Sequence, residues 1–105
     1  MNNSSGLKEY DQRQFRLMLQ TIGEYHDGHM KLGRLVSSLD AIYCALENPK
    51  QDFRNRFECD WGKLEDTNAI MLDQERMYLN EFDKELVQRA LRDLEVLIAS
   101  QLDSI

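Results

Sequence analysis

Residues 32–46, which read LGRLVSSLDAIYCAL, hold the clearest pattern in the chain. Apolar side chains recur there at steps of three and four residues, and polar side chains such as Asp40 fill the opposite face. This spacing predicts an amphipathic helix that lays one face on a core. The apolar positions are Leu32, Leu35, Val36, Leu39, Ile42, Tyr43 and Leu46. Asn48-Pro49 should end the helix, because the residue before a proline avoids helical backbone angles.

Another helix is predicted ahead of this one, over about residues 11–26. Asp11 is a good N-cap, and the residues before it, 1–10, are expected to form a flexible tail. Asp27-Gly28 is a turn dipeptide whose glycine can adopt the left-handed conformation that ends many helices. The apolar face consists of Phe15, Met18, Leu19, Ile22 and Tyr25.

Two longer helices are predicted after the proline. The first covers about residues 51–73, with Gly62 in its middle, and a loop over 74–80 follows. Its inward positions are Phe53, Phe57, Trp61, Leu64 and Met71 or Leu72. Asn80 should cap the last helix, which continues to about residue 102. The apolar stripe of that helix consists of Leu86, Ala90, Leu91, Leu94, Leu97, Ile98 and Leu102.

Length and composition indicate one all-α domain. The chain has 105 residues, 42% hydrophobic and 30% charged, which suits a single globular domain with one core. Four helices joined by short turns pack most simply as an antiparallel bundle, which we place over residues 11–105. No signal peptide or apolar membrane span is apparent, and the cysteines form no disulfide framework. We therefore expect a cytoplasmic protein without membrane contact, favoured as a monomer.

The net charge of −6 is unevenly distributed. Residues 1–57 carry eight basic and seven acidic side chains, whereas residues 58–105 carry five basic and twelve acidic ones. An acidic surface repels phosphates, which argues against direct nucleic-acid binding, and it attracts a basic partner. An acidic surface can also serve only to keep a protein soluble. Charge by itself favours neither this interpretation nor binding to a basic partner.

The side chains that catalysis needs are scarce. His26 and His29 flank a turn, with no further histidine or cysteine nearby to complete a zinc site, so two solvent-exposed histidines are favoured over a metal role. Cys44 and Cys59 lack a Cys-x-x-Cys arrangement and are interpreted as small space-fillers rather than redox thiols. With no phosphate-binding loop and no nucleophile elbow, we expect neither an enzyme nor a cofactor. A small metal-dependent hydrolase is the least favoured alternative.

The third predicted helix carries a stripe of carboxylates. Glu58, Gly62, Glu65, Asp66 and Asp73 fall within about a third of the helix circumference at about 100° per residue. Because Gly62 leaves the backbone uncovered, a partner can approach closely there. The first candidates for partner-binding residues are Glu58, Glu65, Asp66 and Asp73, and the second are Asp60 and Glu75. A solvated face without a role is the alternative. The aromatic run beside the stripe, residues 53–61, is favoured as core over an exposed anchor.

Several segments resemble a group of small all-helical bacterial immunity proteins, which protect a cell from its own contact-dependent or polymorphic toxin. Residues 22–32, IGEYHDGHMKL, look like the end of that group's first helix and its turn. Residues 57–65, FECDWGKLE, are similar to its most recognisable segment, an aromatic residue followed by Trp and then Leu-Glu. Residues 79–83, LNEFD, look like the start of its last helix, while Asn68-Ala69-Ile70 departs from the small residue and alanine pair of the group. The resemblance implies a partner that binds and neutralises a cognate toxin.

Charge and resemblance together favour an immunity protein whose acidic surface covers the basic cleft of a toxin. A nuclease is the expected toxin class, since a cleft built for RNA or DNA is positive. The alternative is an acidic helical adaptor or anti-activator that binds a basic regulatory protein. Composition does not separate the two. A neighbouring gene for a secreted protein with a toxic C-terminal domain would favour immunity, and a neighbouring regulator gene would favour the adaptor.

Overall fold

The structure, a computed structural model, describes the backbone of residues 3–103 and the side chains of residues 9–102. That part of the chain forms four helices and no strand: α1 (Asn3–His26), α2 (Leu32–Ala45), α3 (Gln51–Asp73) and α4 (Glu81–Asp103). The helices pack in a closed cycle, with α1 on α2, α2 on α3, α3 on α4 and α4 on α1. The predicted all-α antiparallel bundle is therefore confirmed. None of the described helices is both long enough and apolar enough to cross a membrane.

The core is built from the apolar faces that the sequence predicts, and aromatic rings fill its centre. Phe53 and Phe57 of α3 are each 1% exposed. Phe15 meets Phe53 edge to face with ring centroids 5.1 Å apart, and Tyr43 stacks on Phe57 at 4.4 Å. The first two aromatic residues of α3 are thus core, as favoured, and edge-to-face and stacked pairs of this kind add to the burial of their rings.

The start of α1 differs from the prediction. The helix begins at Asn3, so the predicted N-cap role of Asp11 is wrong. The buried Asp11 carboxylate instead accepts hydrogen bonds from the backbone N–H groups of Glu47, at 2.9 Å, and Asn48, at 2.8 Å. Backbone groups outside a helix need other hydrogen-bond partners, and Asp11 supplies an acceptor for two of them in the α2–α3 connection. The flexible tail predicted for residues 1–10 lies partly outside the described residues, and α1 includes its backbone from residue 3.

Left-handed residues close α1 and α3. Gly28 follows α1 with φ 83°, as the turn dipeptide predicts. Glu75 holds the equivalent position after α3 with φ 55°, although it is not a glycine. In both turns the N–H of the next residue reaches a carbonyl five residues back at 2.9 Å, which is the hydrogen bond of a Schellman motif. A residue with a Cβ costs about 1 kcal/mol or more in this conformation, so the second turn is strained.

The start of α4 matches its predicted cap, while one inward position of α4 is corrected. The Asn80 side chain accepts the backbone N–H of Asp83 at 2.8 Å, so the capping role is confirmed. Val87 is 1% exposed and Leu86 is 37% exposed, so Val87 takes the inward position predicted for Leu86.

At the end of α3, the sequence predicts that either Met71 or Leu72 faces inward. In the structure Met71 is buried and Leu72 is exposed. α3 also continues without a break through Gly62 at its centre.

The turn between α1 and α2 covers the inner side of the α3–α4 hairpin where α3 ends and α4 begins. Met30 of that turn lines one groove with Met77 of the hairpin. Met71 and Val87 are buried on this inner side, whereas side chains on the outer side of the hairpin, such as Ile70, are exposed. We call residues 70–86 the α3–α4 tip.

Candidate protein-binding surface

Four carboxylates line one groove between α2 and α3. They are Asp40 of α2 and Glu58, Glu65 and Asp66 of α3, and all four are exposed. The groove, which we call the acidic groove, has a volume of about 390 Å³. Glu58, Glu65 and Asp66, three of the four first candidates from the sequence, therefore lie in one concave site. Asp40 of α2, which was not a candidate, joins them. Carboxylates only accept hydrogen bonds when ionised, so the site suits Lys and Arg side chains.

The floor of the acidic groove is fixed by Trp61 and left open by Gly62. The half-buried indole of Trp61 donates a hydrogen bond from Nε1 to the carbonyl oxygen of Val36 at 2.9 Å, which joins α3 to α2. A Cβ placed on Gly62 would meet none of the described atoms within 4 Å beyond its immediate neighbours and helix backbone. Packing within the fold therefore does not explain why this position lacks a side chain. The bare backbone gives a partner close access between the carboxylates.

Tyr43 links the acidic groove to the core. Its hydroxyl donates a 2.6 Å hydrogen bond to Oε2 of Glu58, while its ring stacks on Phe57. Burial raises the pKa of Tyr43 to about 12, and the hydrogen bond and negative charge of Glu58 add to the effect. The bond fixes the Glu58 carboxylate at the groove wall and leaves its other oxygen available to a partner.

The remaining candidates lie apart from the acidic groove. Asp73 is exposed on the same side of α3, seven residues beyond Asp66. Asp60 lies on the opposite side of α3, in a groove against α4, and its carboxylate is 3.5 Å from Nζ of Lys63. Burial, together with the charge of Asp93, raises its pKa, against the opposing effect of Lys63. Glu75 occupies the strained turn after α3. The structure thus does not bring Asp60 or Glu75 together with the groove carboxylates.

The α3–α4 tip exposes apolar side chains that the sequence analysis did not single out as a site. Of the eight large apolar side chains exposed in the described part of the chain, six belong to residues 70–86. They are Ile70, Leu72, Met77, Tyr78, Phe82 and Leu86. A signal was present: the run at 70–72 lies in a predicted helix, one face of which cannot bury three consecutive residues, and the run at 77–79 lies in a predicted loop, where apolar side chains are less readily buried.

The tip is also strongly acidic. Residues 70–86 carry five acidic and two basic side chains. Arg76 is paired with Asp83 at 2.8 Å, and Lys84 lies 3.5 Å from Glu81, so both cations are near carboxylates of their own segment. The other carboxylates of the segment have no basic neighbour within the same segment to offset them. Exposed apolar patches on a protein surface often mark sites of protein–protein contact.

The histidines and cysteines lie elsewhere. His29 is exposed in the turn after α1, and both Cys44 and Cys59 are exposed free thiols, so their interpretation as space-fillers is wrong. Sγ of Cys44 lies 3.9 Å from Oδ1 of Asp40 on the same helix. Across residues 9–102, no group of three or more His, Cys, Asp or Glu side chains is placed to hold a metal ion.

No protein-family model, curated protein sequence or solved structure matches this chain.

Proposed function

We propose that the protein is an immunity protein, which binds a basic toxin and neutralises it by covering the toxin's active-site cleft with the acidic groove. The observation that carries the proposal is the convergence of Asp40, Glu58, Glu65 and Asp66 around the bare backbone at Gly62. A cluster of that charge steers a basic protein toward itself and repels polyanions. The resemblance of residues 22–32 and 57–65 to bacterial immunity proteins supports the same function.

A nuclease is the toxin class that fits this charge best. Nuclease clefts are positive because they bind a phosphate backbone, and the acidic groove presents the same sign of charge as that backbone. A stable protein complex buries about 1,600 Å² in total, which is more than one groove of this size provides. The surfaces beside the groove must therefore contribute, and the α3–α4 tip is the adjacent surface with exposed apolar side chains.

Coexpression with a growth-arresting toxin domain encoded beside this chain tests the proposal. The wild-type chain should restore growth, and the double variant Glu65→Lys, Asp66→Lys should not. Its association rate with the purified toxin domain should fall at least about tenfold, because opposite charges at an interface mainly accelerate encounter. Added salt should slow association of the wild-type chain more than that of the variant. The matched control is Glu9→Lys, Asp27→Lys, which changes the net charge equally at two exposed sites of the α1 side.

A second variant separates binding from folding. Gly62→Gln places a neutral side chain on the groove floor, where the described part of the fold leaves open space. Replacing a mid-helix glycine should raise the free energy of unfolding by about 0.5 kcal/mol, yet growth rescue should be lost because the side chain blocks the groove. Full rescue by both the Gly62 variant and the Glu65/Asp66 variant would refute the acidic groove as the binding site. Tight binding of a regulatory protein that does not arrest growth would instead establish the adaptor alternative.

A further inference from the structure

We infer that Ile70, Phe82 and Leu86, which we call the apolar anchor, form a docking site beside the acidic groove for an apolar side chain flanked by Lys or Arg. The inference rests on the proposed function, since the partner meant is the same basic protein. It adds a separate role for the α3–α4 tip: the acidic groove accelerates encounter, and the apolar anchor slows dissociation. Apolar contacts that exclude water at the centre of an interface act mainly on the dissociation rate.

The helix register places the three residues of the apolar anchor together. At the other end of the hairpin, Asp60 of α3 lies in one groove with Val96 of α4. Antiparallel helices have equal rise per residue, so ten residues forward on α3 correspond to ten residues back on α4. Ile70 therefore lies at the level of Leu86. Phe82 lies one turn away on the same side of α4, four residues before Leu86.

The three side chains are open to a partner. Ile70 is 52% exposed, Phe82 is 69% exposed and Leu86 is 37% exposed. Their exposure shows that the neighbouring helices, α1 packed on α4 and α2 packed on α3, do not cover this side of the hairpin. Covering an exposed phenylalanine and an exposed isoleucine removes apolar surface from water, which is the main source of affinity at interface centres.

Carboxylates predominate around the apolar anchor and select its occupant. Ile70 lies one turn from Asp66 and one turn from Asp73 on α3, and Glu85 lies one turn from Phe82 on α4. Arg89, one turn from Leu86, is the basic side chain at the same spacing, so the rim remains acidic on balance. Asp66 also lines the acidic groove, so the two surfaces are continuous. An apolar centre with an acidic rim matches an apolar side chain with a basic rim. A second copy of this chain would bring carboxylates against carboxylates, and an anionic membrane surface would be repelled.

The other apolar surface of the tip lacks this charge. Met77 and Tyr78 line a groove of about 570 Å³ at the end of the bundle, beside Tyr25 and Met30. Lys31 and Lys84 are the fully charged side chains of that lining, and no carboxylate belongs to it. A basic partner is therefore drawn to the apolar anchor rather than to the Met77 groove. An exposed residue of the Met77 groove, such as Tyr78, can therefore serve as a control site for substitutions in the apolar anchor.

Two synthetic helical peptides with equal lysine content test the apolar anchor without the toxin. One carries a leucine stripe and the other a serine stripe, and their dissociation constants are measured by fluorescence anisotropy with amide chemical shifts to map the site. The leucine peptide should bind about tenfold more tightly, as expected for burying one or two apolar side chains. The variant Ile70→Ser, Phe82→Ser should remove that preference. The control Leu17→Ser, Tyr78→Ser, also at exposed sites, should keep it.

The outcomes separate this inference from the proposed function. Equal binding of the two peptides, or loss of the preference in the Leu17/Tyr78 control, would overturn the apolar anchor even if growth rescue still depends on Glu65 and Asp66. A wild-type dimer in sedimentation velocity that dissociates in the Ile70/Phe82 variant would assign the surface to a second copy and also overturn it. A leucine preference that maps to Ile70 and Phe82 would support the anchor even if the toxin assay fails, in which case the proposed function alone is wrong.

Discussion

The two ends of α3 use similar residues for opposite purposes. Near its start, Phe53 and Phe57 are buried within a set of rings that includes Phe15 and Tyr43. Near its end, Ile70 and Leu72 are exposed, and so is Phe82 at the start of α4. A buried apolar side chain stabilises the fold, whereas an exposed one contributes little to it. The difference shows that the packing of neighbouring helices, rather than composition, decides which apolar residues remain exposed.

The two ends also differ in how their backbone is supported. At the start of α3, the connection from α2 is held by two hydrogen bonds to Asp11, a side chain recruited from α1. At the end of α3, the chain turns through Glu75 in a conformation that favours glycine. The tip thus combines a strained backbone position with exposed apolar surface.

The same substitution at Phe57 near the start of α3 and at Phe82 in the α3–α4 tip should give the largest contrast. Phe57→Ala should lower the free energy of unfolding by about 3–5 kcal/mol, since it removes a fully buried ring and leaves a cavity. Phe82→Ala should change it by less than about 0.5 kcal/mol, because that ring is largely exposed. Urea unfolding followed by circular dichroism measures both. A comparable loss in the two variants would show that the tip is packed and would remove the contrast.

Loss of the Asp11 carboxylate should have the next largest effect. Asp11→Ala leaves two backbone N–H groups of the α2–α3 connection without their acceptor, and we expect a loss of about 2–3 kcal/mol. Asp11→Asn keeps one acceptor oxygen and should lose less. Asp27→Ala, at an exposed turn position, is the control and should be nearly neutral. An Asp11→Ala variant as stable as this control would mean that the connection holds without the carboxylate.

The sequence predicted the helices better than the surfaces between them. The bounds of α3 agree with the prediction, because an apolar period of three to four residues and the preceding proline mark them locally. The role of Asp11 was missed because its hydrogen bonds are made 36 and 37 residues away. Helix periodicity placed Glu58, Glu65 and Asp66 on one side, but the contribution of Asp40 depends on how α2 packs on α3. The exposure of Ile70 and Phe82 likewise depends on how α3 and α4 pack with their neighbours.

Relieving the strain at Glu75 should raise the free energy of unfolding rather than lower it. Glu75→Gly relieves the left-handed conformation and should raise the free energy of unfolding by about 0.5–1 kcal/mol, after the greater entropy of glycine in the unfolded chain is subtracted. Glu75→Ala removes the same charge and keeps the Cβ, so it should show no such gain. The difference between the two variants, measured by thermal unfolding, isolates the backbone effect. Equal stability of the glycine and alanine variants would indicate that the tip stores no strain there.

The smallest effect at neutral pH is expected at Tyr43, where the core meets the acidic groove. Its pKa is raised from 10.0 to about 12, first by burial and then by Glu58, so the folded state retains a proton that the unfolded chain loses near pH 10. The resulting stability is fully present below pH 10 and is lost as the pH rises from 10 through 12. Tyr43→Phe should therefore flatten the decline of unfolding free energy in that interval.

Glu58→Gln separates the contribution of Glu58 to the raised pKa of Tyr43 from the contribution of burial. It removes the charge of Glu58 and weakens the hydrogen bond but leaves the burial, so the pKa of Tyr43, followed by tyrosinate absorbance, should fall only part of the way toward 10. Glu9→Gln, which removes a carboxylate from the side of α1, should leave that titration unchanged. A complete return to 10 in the Glu58 variant would mean that the groove alone sets the pKa. The pKa of Tyr43 would then be set by the acidic groove, with no contribution from burial against the core.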